Sequence, residues 1–174
     1  MTTATSQANR LTTPQPINRL PFLLGTGSDD ADTAPSTLGD DQPGLKRHGI
    51  RILIVEDEAL VALDMAMILE GVGYEIIGVT PTGDSALTAL KAAADQGALP
   101  DLVLMDIALR GGLDGIETTQ QMKHAYSEIG VVFVTGQADR ATRERAETTK
   151  PAGYLLKPFT PEQLVHFVKS VSDL

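Results

Sequence analysis

The most reactive grouping in this sequence is acidic. Glu56, Asp57 and Glu58 stand together at the end of one apolar run, and Asp106 closes another. A hydroxyl, Thr135, ends a third run just before Gly136, and an ammonium group follows a fourth in Lys157-Pro158-Phe159. Taken singly each residue is ordinary: a lone acid after a strand usually caps a helix, and a lone lysine is usually solvated. Their joint occurrence at the ends of four runs is what points to chemistry. Clustered carboxylates repel one another, so Glu56, Asp57 and Asp106 together call for a cation. An all-oxygen site with few protein ligands suits Mg²⁺, which keeps several waters and favours phosphate co-ligands. Asp106 can attack a phosphoryl donor as a carboxylate nucleophile, giving an acyl phosphate. Lys157 can offset charge on the phosphoryl oxygens, and Thr135 can donate its hydroxyl to one of them. Glu58 reads as a helix-start residue whose charge suits the helix dipole.

Five short apolar runs must position these groups: Arg51–Val55, Tyr74–Thr80, Leu102–Asp106, Gly130–Thr135 and Gly153–Leu156. Most are unbroken rather than alternating, as befits strands covered on both faces of a parallel sheet. Helical patterns separate them. Leu60, Leu63, Met67 and Leu69 ride a first helix that Gly71 and Gly73 terminate. A second spans about Thr82 to Gln96 with Ala86, Leu87 and Leu90 inward. The third opens at Asp114, with Glu117 in the capping-box position. The segment Asp139–Thr149 offers only alanines as apolar anchors, which predicts a short, polar, weakly held helix. The last opens at Thr160-Pro161 and carries Leu164, Phe167, Val168 and Val171 on one face. This alternation predicts a doubly wound α/β domain with helices on both faces. Ligands on such a sheet gather beyond the carboxyl ends of the strands, where the reactive groups fall.

Composition removes other classes. The 174 residues contain no cysteine, so disulfides and thiolate metal sites are excluded. A formal net charge of −9 opposes phosphate-backbone binding and argues against a direct nucleic-acid partner. No stretch approaches the roughly 18–20 apolar residues that span a bilayer, and the N-terminus lacks the apolar core of a secretory signal. The expected compartment is the cytoplasm, with no membrane insertion. Residues 1–48 are rich in Thr, Ser, Pro, Gly and Asp without periodicity, and predict a flexible N-terminal extension. One apolar cluster interrupts it at Ile17–Leu24. The folded domain is expected over 49–174.

The runs ILIVEDE, LVLMD, VVFVTG and GYLLKPF, in this order and at these spacings, resemble the receiver domain of bacterial two-component response regulators. The resemblance covers about Gly49–Leu174 and implies a five-stranded parallel sheet in the flavodoxin-like order 2-1-3-4-5. It implies that Asp106 is the phosphorylated residue. Asp57 would bind Mg²⁺ directly, Glu56 directly or through water, and the backbone carbonyl of Ala108 would complete the protein ligands. Lys157 would contact the phosphoryl group, with a cis Lys157–Pro158 peptide. Thr135 would follow the phosphoryl group inward, and Tyr154 would be the aromatic rotamer switch. The implied donor is a phosphohistidine on a histidine kinase or phosphotransfer protein, the receiver catalysing its own modification rather than acting as an enzyme on other substrates.

Several departures stand out. Glu56 replaces the commoner Asp, and Gly136 follows Thr135. Phe133-Val134-Thr135-Gly136 resembles the Phe-Ala-Thr-Gly subgroup with a mobile fourth helix, although Ala138 stands where that subgroup has tyrosine. The loop IALRGGLDG is one residue longer than usual and lacks its proline. Ala108 and Gln137 sit where side chains tune loss of the phosphoryl group.

No effector pattern follows the lysine run. The expectation is therefore a stand-alone receiver that acts by binding an unidentified downstream protein, or by relaying phosphoryl groups. Its readout surface would comprise the Asp139–Thr149 segment, Tyr154 and the last helix, which also offers a homodimer face. A haloacid-dehalogenase phosphatase would want a second acid where Ala108 stands. A flavin module would want a phosphate loop where Glu56-Asp57-Glu58 would repel one. A degenerate, phosphorylation-independent scaffold is the remaining alternative, and the complete set of reactive residue types argues against it.

Overall fold

The computed structural model describes residues 49–136 and 139–172. The proposed extension and its Ile17–Leu24 cluster lie outside them, as do Gln137 and Ala138. The strands are β1 (Arg51–Val55), β2 (Glu75–Thr80), β3 (Leu102–Asp106), β4 (Gly130–Thr135) and β5 (Gly153–Leu156). The helices alternate with them: α1 (Ala59–Gly71), α2 (Gly83–Asp95), α3 (Gly115–Ala125), α4 (Arg140–Glu147) and α5 (Pro161–Ser172). All pairings are parallel, in the order β2-β1-β3-β4-β5. This is the doubly wound sheet that the alternation predicts, and only the start of β2 moves, from Tyr74 to Glu75.

Two apolar clusters bury the two faces. On one, Leu53, Val55, Val103, Met105, Val131 and Phe133 meet Ala86 and Leu90 of α2, Ile116 and Met122 of α3, and Ala146 of α4. On the other, Ile52, Ile54, Leu104, Val132 and Val134 meet Met65 and Leu69 of α1 and Leu164 and Val168 of α5. Side chains alternate along a strand, so each strand serves both clusters. Full burial of one such aliphatic side chain is worth about 1.5–3 kcal/mol, and β1, β3 and β4 are buried along nearly their whole length.

Alternation also sorts the reactive residues. Glu56 continues the set of Ile52 and Ile54, Asp106 that of Leu102 and Leu104, and Lys157 that of Leu155, all on the α1/α5 side. Thr135 continues the set of Val131 and Phe133 on the opposite side, where Tyr154 also packs.

The helix ends follow the local signals. Asp114 accepts from Glu117 N at 2.8 Å while Glu117 accepts from Asp114 N at 3.0 Å, a complete capping box. Thr82 and Ser85 form another at α2. Thr160 and Gln163 exchange the same bonds at α5. Glu58 occupies the cap position of α1 but its side chain makes no capping bond. The segment with alanine anchors is indeed a short helix, α4, in which Ala146 is the buried residue.

Helix α1 differs in one respect. Leu60, Leu63 and Met67, which mark the helix in the sequence, lie on its solvent face at 78%, 55% and 63% exposure, whereas Ala62, Met65, Ala66 and Leu69 face the sheet. The helix is apolar nearly all round, so periodicity alone gave no single inward stripe.

Candidate metal and phosphoryl site

The three carboxylates predicted to cluster do so. Glu56, Asp57 and Asp106 each present an oxygen within 4.8 Å of the others. β1 and β3 are hydrogen-bonded neighbours, with Val55 opposite Met105, so the residues leaving them share one edge. Glu56 and Asp106 are buried and Asp57 is mostly buried. Lys157 arrives from beyond β5 and binds both buried acids, its Nζ 2.8 Å from Asp106 Oδ2 and 2.6 Å from Glu56 Oε2. The Lys157 backbone N–H donates to the Thr135 carbonyl at 2.8 Å, which anchors the root of that side chain. The Lys157–Pro158 peptide is cis.

Asp106 is held at both oxygens. Ala108 N–H donates to Oδ1 at 2.9 Å and Lys157 Nζ to Oδ2. Two charge-assisted bonds from opposite sides fix the carboxylate plane. Thr135 is buried at the end of β4, beside Leu156 of β5. Tyr154 stacks on Phe133 with ring centroids 5.8 Å apart, and among the described residues its buried hydroxyl has no hydrogen-bond partner. Burial, aided by the nearby Glu147 carboxylate, pushes that phenol up to about 12.

Two contributors escape sequence reasoning. Arg110, in the loop after β3, donates its Nε–H to Asp57 Oδ2. Their separation of 53 positions gave no local signal, although a lone arginine beside Gly111-Gly112 hinted at a turning loop. The other is Gly115, the first residue of α3. A Cβ there would lie 2.0 Å from the Asp106 carbonyl oxygen and 2.9 Å from its carbon. Gly115 N–H donates to the Ile107 carbonyl at 3.1 Å, which pins the helix start against the acidic loop. Gly115→Ala should therefore cost about 2–3 kcal/mol in urea unfolding. It should also shift the Asp106 and Ile107 amide resonances, while a substitution at exposed Gly71, with open space around it, shifts neither.

The residues present fit a hard divalent cation. The donors are all oxygen, their mutual repulsion is only partly relieved, and buried Glu56 Oε2 lies close to Lys157 without a well-angled hydrogen bond. Burial, opposed by the Lys157 bond and reinforced by Asp106, holds the Glu56 carboxyl above its ordinary 4.5. For Lys157, burial acts downward, but the bonds to Asp106 and Glu56 outweigh it and raise the ammonium. A raised folded-state value for Glu56 means that the native state binds the proton more tightly than the unfolded chain. Its contribution to stability is present below pH 4.5 and is lost as pH rises through the folded value. Metal-free unfolding free energies should accordingly decline over that window in the wild type, a slope absent in Glu56→Gln and suppressed by added Mg²⁺.

Among the described helices none is long and apolar enough to cross a membrane. The family model for the response regulator receiver domain matches residues 52–169. The chain is 37% identical over 111 residues to the phyllosphere-induced regulator PhyR of Methylorubrum extorquens, covering 63% of this chain and 39% of PhyR. It is 34% identical over 117 residues to the transcriptional regulatory protein PdtaR of Mycobacterium tuberculosis, covering 66% and 53%. The chain thus spans about half or less of these relatives' lengths. A CheY-like receiver domain from Methanospirillum hungatei JF-1 superposes with a TM-score of 0.63 at 25% identity, covering 72% of this chain and 95% of that one. The matched span includes both acid-bearing strand ends, Thr135 and Lys157, and by it this chain belongs to the response regulator receiver domain family.

Proposed function

We propose that the domain accepts a phosphoryl group from a phosphohistidine onto Asp106 in a Mg²⁺-dependent reaction and signals the change by protein–protein interaction. The observation that carries this reading is Lys157 Nζ bridging Glu56 and Asp106 inside a cluster of three carboxylates. Glu56, Asp57 and Asp106, with the Ala108 carbonyl, would hold the ion, which when bound supplies charge compensation for the phosphoryl oxygens. Ala108 N–H and Lys157 hold the two oxygens of the attacking carboxylate. As an Asp106 oxygen bonds to phosphorus, the phosphorus–nitrogen bond breaks and the imidazole takes up a proton from solvent. The Lys157 ammonium balances the charge spreading over the transferred group. Thr135 and Tyr154 lie on the α3/α4 side, so a group on Asp106 that draws the Thr135 hydroxyl toward it would alter the packing of Tyr154 on Phe133. This shifts a pre-existing equilibrium rather than creating a new state.

A donor protein would dock on the α1/α5 side, where Glu56, Asp106 and Lys157 are placed by strand alternation. Leu60, Leu63 and Met67 form an exposed apolar stripe there. A neighbouring groove of about 770 Å³, lined in part by Val61, Ile68, Pro158 and Phe159, opens beside Lys157. Leu63→Glu should slow transfer from the donor protein by at least about tenfold, yet leave uptake from acetyl phosphate unchanged. Parallel phosphotransfer assays with the two donors measure this.

The reading is tested by intact mass after incubation with acetyl phosphate. One added phosphoryl group is expected with Mg²⁺ and none with chelator. Equal absence in both would favour the phosphorylation-independent scaffold.

A further inference from the structure

We infer that Arg110 is a tethered counter-cation that occupies Asp57 until a divalent ion displaces it, and that it thereby sets the ion affinity of the site. This rests on reading the acid cluster as a divalent-ion site.

The two basic side chains at the cluster are not equivalent. Lys157 is only 18% exposed and binds two buried acids at once. Arg110 is 78% exposed and binds one oxygen of one acid, Asp57, which is itself 12% exposed. A mostly solvated guanidinium that makes a single bond is held weakly, because water competes for it and its long side chain loses rotamer freedom on pairing. A nearly buried ammonium in a two-acid contact is held much more firmly. Ion entry therefore exchanges the weaker partner.

The loop is built to bring the guanidinium back over the site. Arg110 follows buried Leu109, which anchors the segment in the core, and precedes Gly111 and Gly112, whose φ angles are +78° and +101°. Two successive residues in that region favour glycine and reverse the chain directly after Arg110. At Gly112 a Cβ would also meet Asp84 Oδ2 at 2.7 Å.

Charge balance gives the exchange its direction. Three carboxylates against Lys157 and Arg110 leave one net negative charge when the guanidinium is seated. A divalent ion entering beside a seated Arg110 would reverse that sign and meet direct repulsion from the guanidinium on Asp57. If Arg110 leaves as the ion enters, the cluster becomes neutral. Arginine suits this role because it stays protonated across the physiological range, so the competition does not depend on pH there.

The test is Mg²⁺ binding by the full chain, measured by calorimetry for wild type and Arg110→Gln, together with the NMR signal of the Arg110 side-chain Nε–H. The expected result is a dissociation constant about two- to fivefold lower in the variant. In the wild type, the Nε–H signal should move to the position of solvent-exposed arginines with the same midpoint as metal binding. An unchanged or weaker affinity in Arg110→Gln overturns the inference. So does tighter binding accompanied by an Nε–H signal that stays in place through saturation, since that is a long-range charge effect. Absence of Mg²⁺ binding in both proteins overturns the metal-site reading itself, and the inference with it.

Discussion

Asp106→Asn should take up no phosphoryl group from acetyl phosphate or a phosphohistidine donor, a loss of at least about a thousandfold in intact-mass assays. The loss falls on the nucleophile alone, because the substitution leaves the surroundings nearly intact. The asparagine oxygen can still accept from Ala108 N–H, and Lys157 keeps Glu56 as its partner. Removing the Asp106 charge also removes one of the influences that raises Glu56. Metal-free stability should therefore stay within about 1 kcal/mol of wild type, the lost ion pair and the relieved repulsion offsetting each other. Urea unfolding with chelator checks this, and separates loss of chemistry from loss of fold.

The second large effect is expected from Lys157→Met. Among the described residues Lys157 is the one cation in contact with Glu56 and Asp106, so its removal leaves two buried carboxylates facing each other. Breaking a buried pair from one side costs more than the pair itself contributes, because an uncompensated charge remains. The side chain retains some exposure, so the cost is discounted to about 2–4 kcal/mol at neutral pH with chelator present. Two conditions should restore stability. Mg²⁺ replaces the missing positive charge and stabilises by mass action. Lowering the pH favours protonation of Glu56, whose carboxyl burial already raises and which loses the lowering influence of its lysine partner, so the deficit should shrink as pH falls. Uptake of phosphoryl groups should drop by about a hundredfold even in saturating Mg²⁺, since the ammonium no longer faces the growing charge. Denaturant curves on a grid of pH and Mg²⁺ test the first part, and single-turnover labelling the second.

Much of the fold was legible because the signals that specify it are local. A buried parallel strand must be apolar on both faces, so RILIV, LVLMD and GVVFVT announced themselves without a partner in view. Capping residues likewise act within a few positions, and Asp114 with Glu117 marked the start of α3 correctly. The acid cluster was legible for a further reason: strand ends in such a sheet converge, so residue type and strand end together implied proximity. What stayed hidden depends on distance in space. The orientation of α1 was decided by which apolar side chains the sheet could accommodate, and Met65 and Leu69 won over Leu60 and Leu63. The Arg110–Asp57 pair and the closeness of Gly115 to Asp106 join segments whose relation the chain does not state. Each also bears on the site more than on the core, where sequence signals are strongest.

In the proposed site one divalent ion would be shared by acids from two adjacent strands, with Asp106 among its ligands. Anomalous scattering from a crystal grown with Mn²⁺ and beryllofluoride tests it most directly. The expected result is one peak about 2.1 Å from oxygens of both Asp57 and Asp106, with Lys157 turned to the fluoride and Arg110 off Asp57. A peak elsewhere, or none at saturating Mn²⁺ with Lys157 still bridging Glu56 and Asp106, would contradict it.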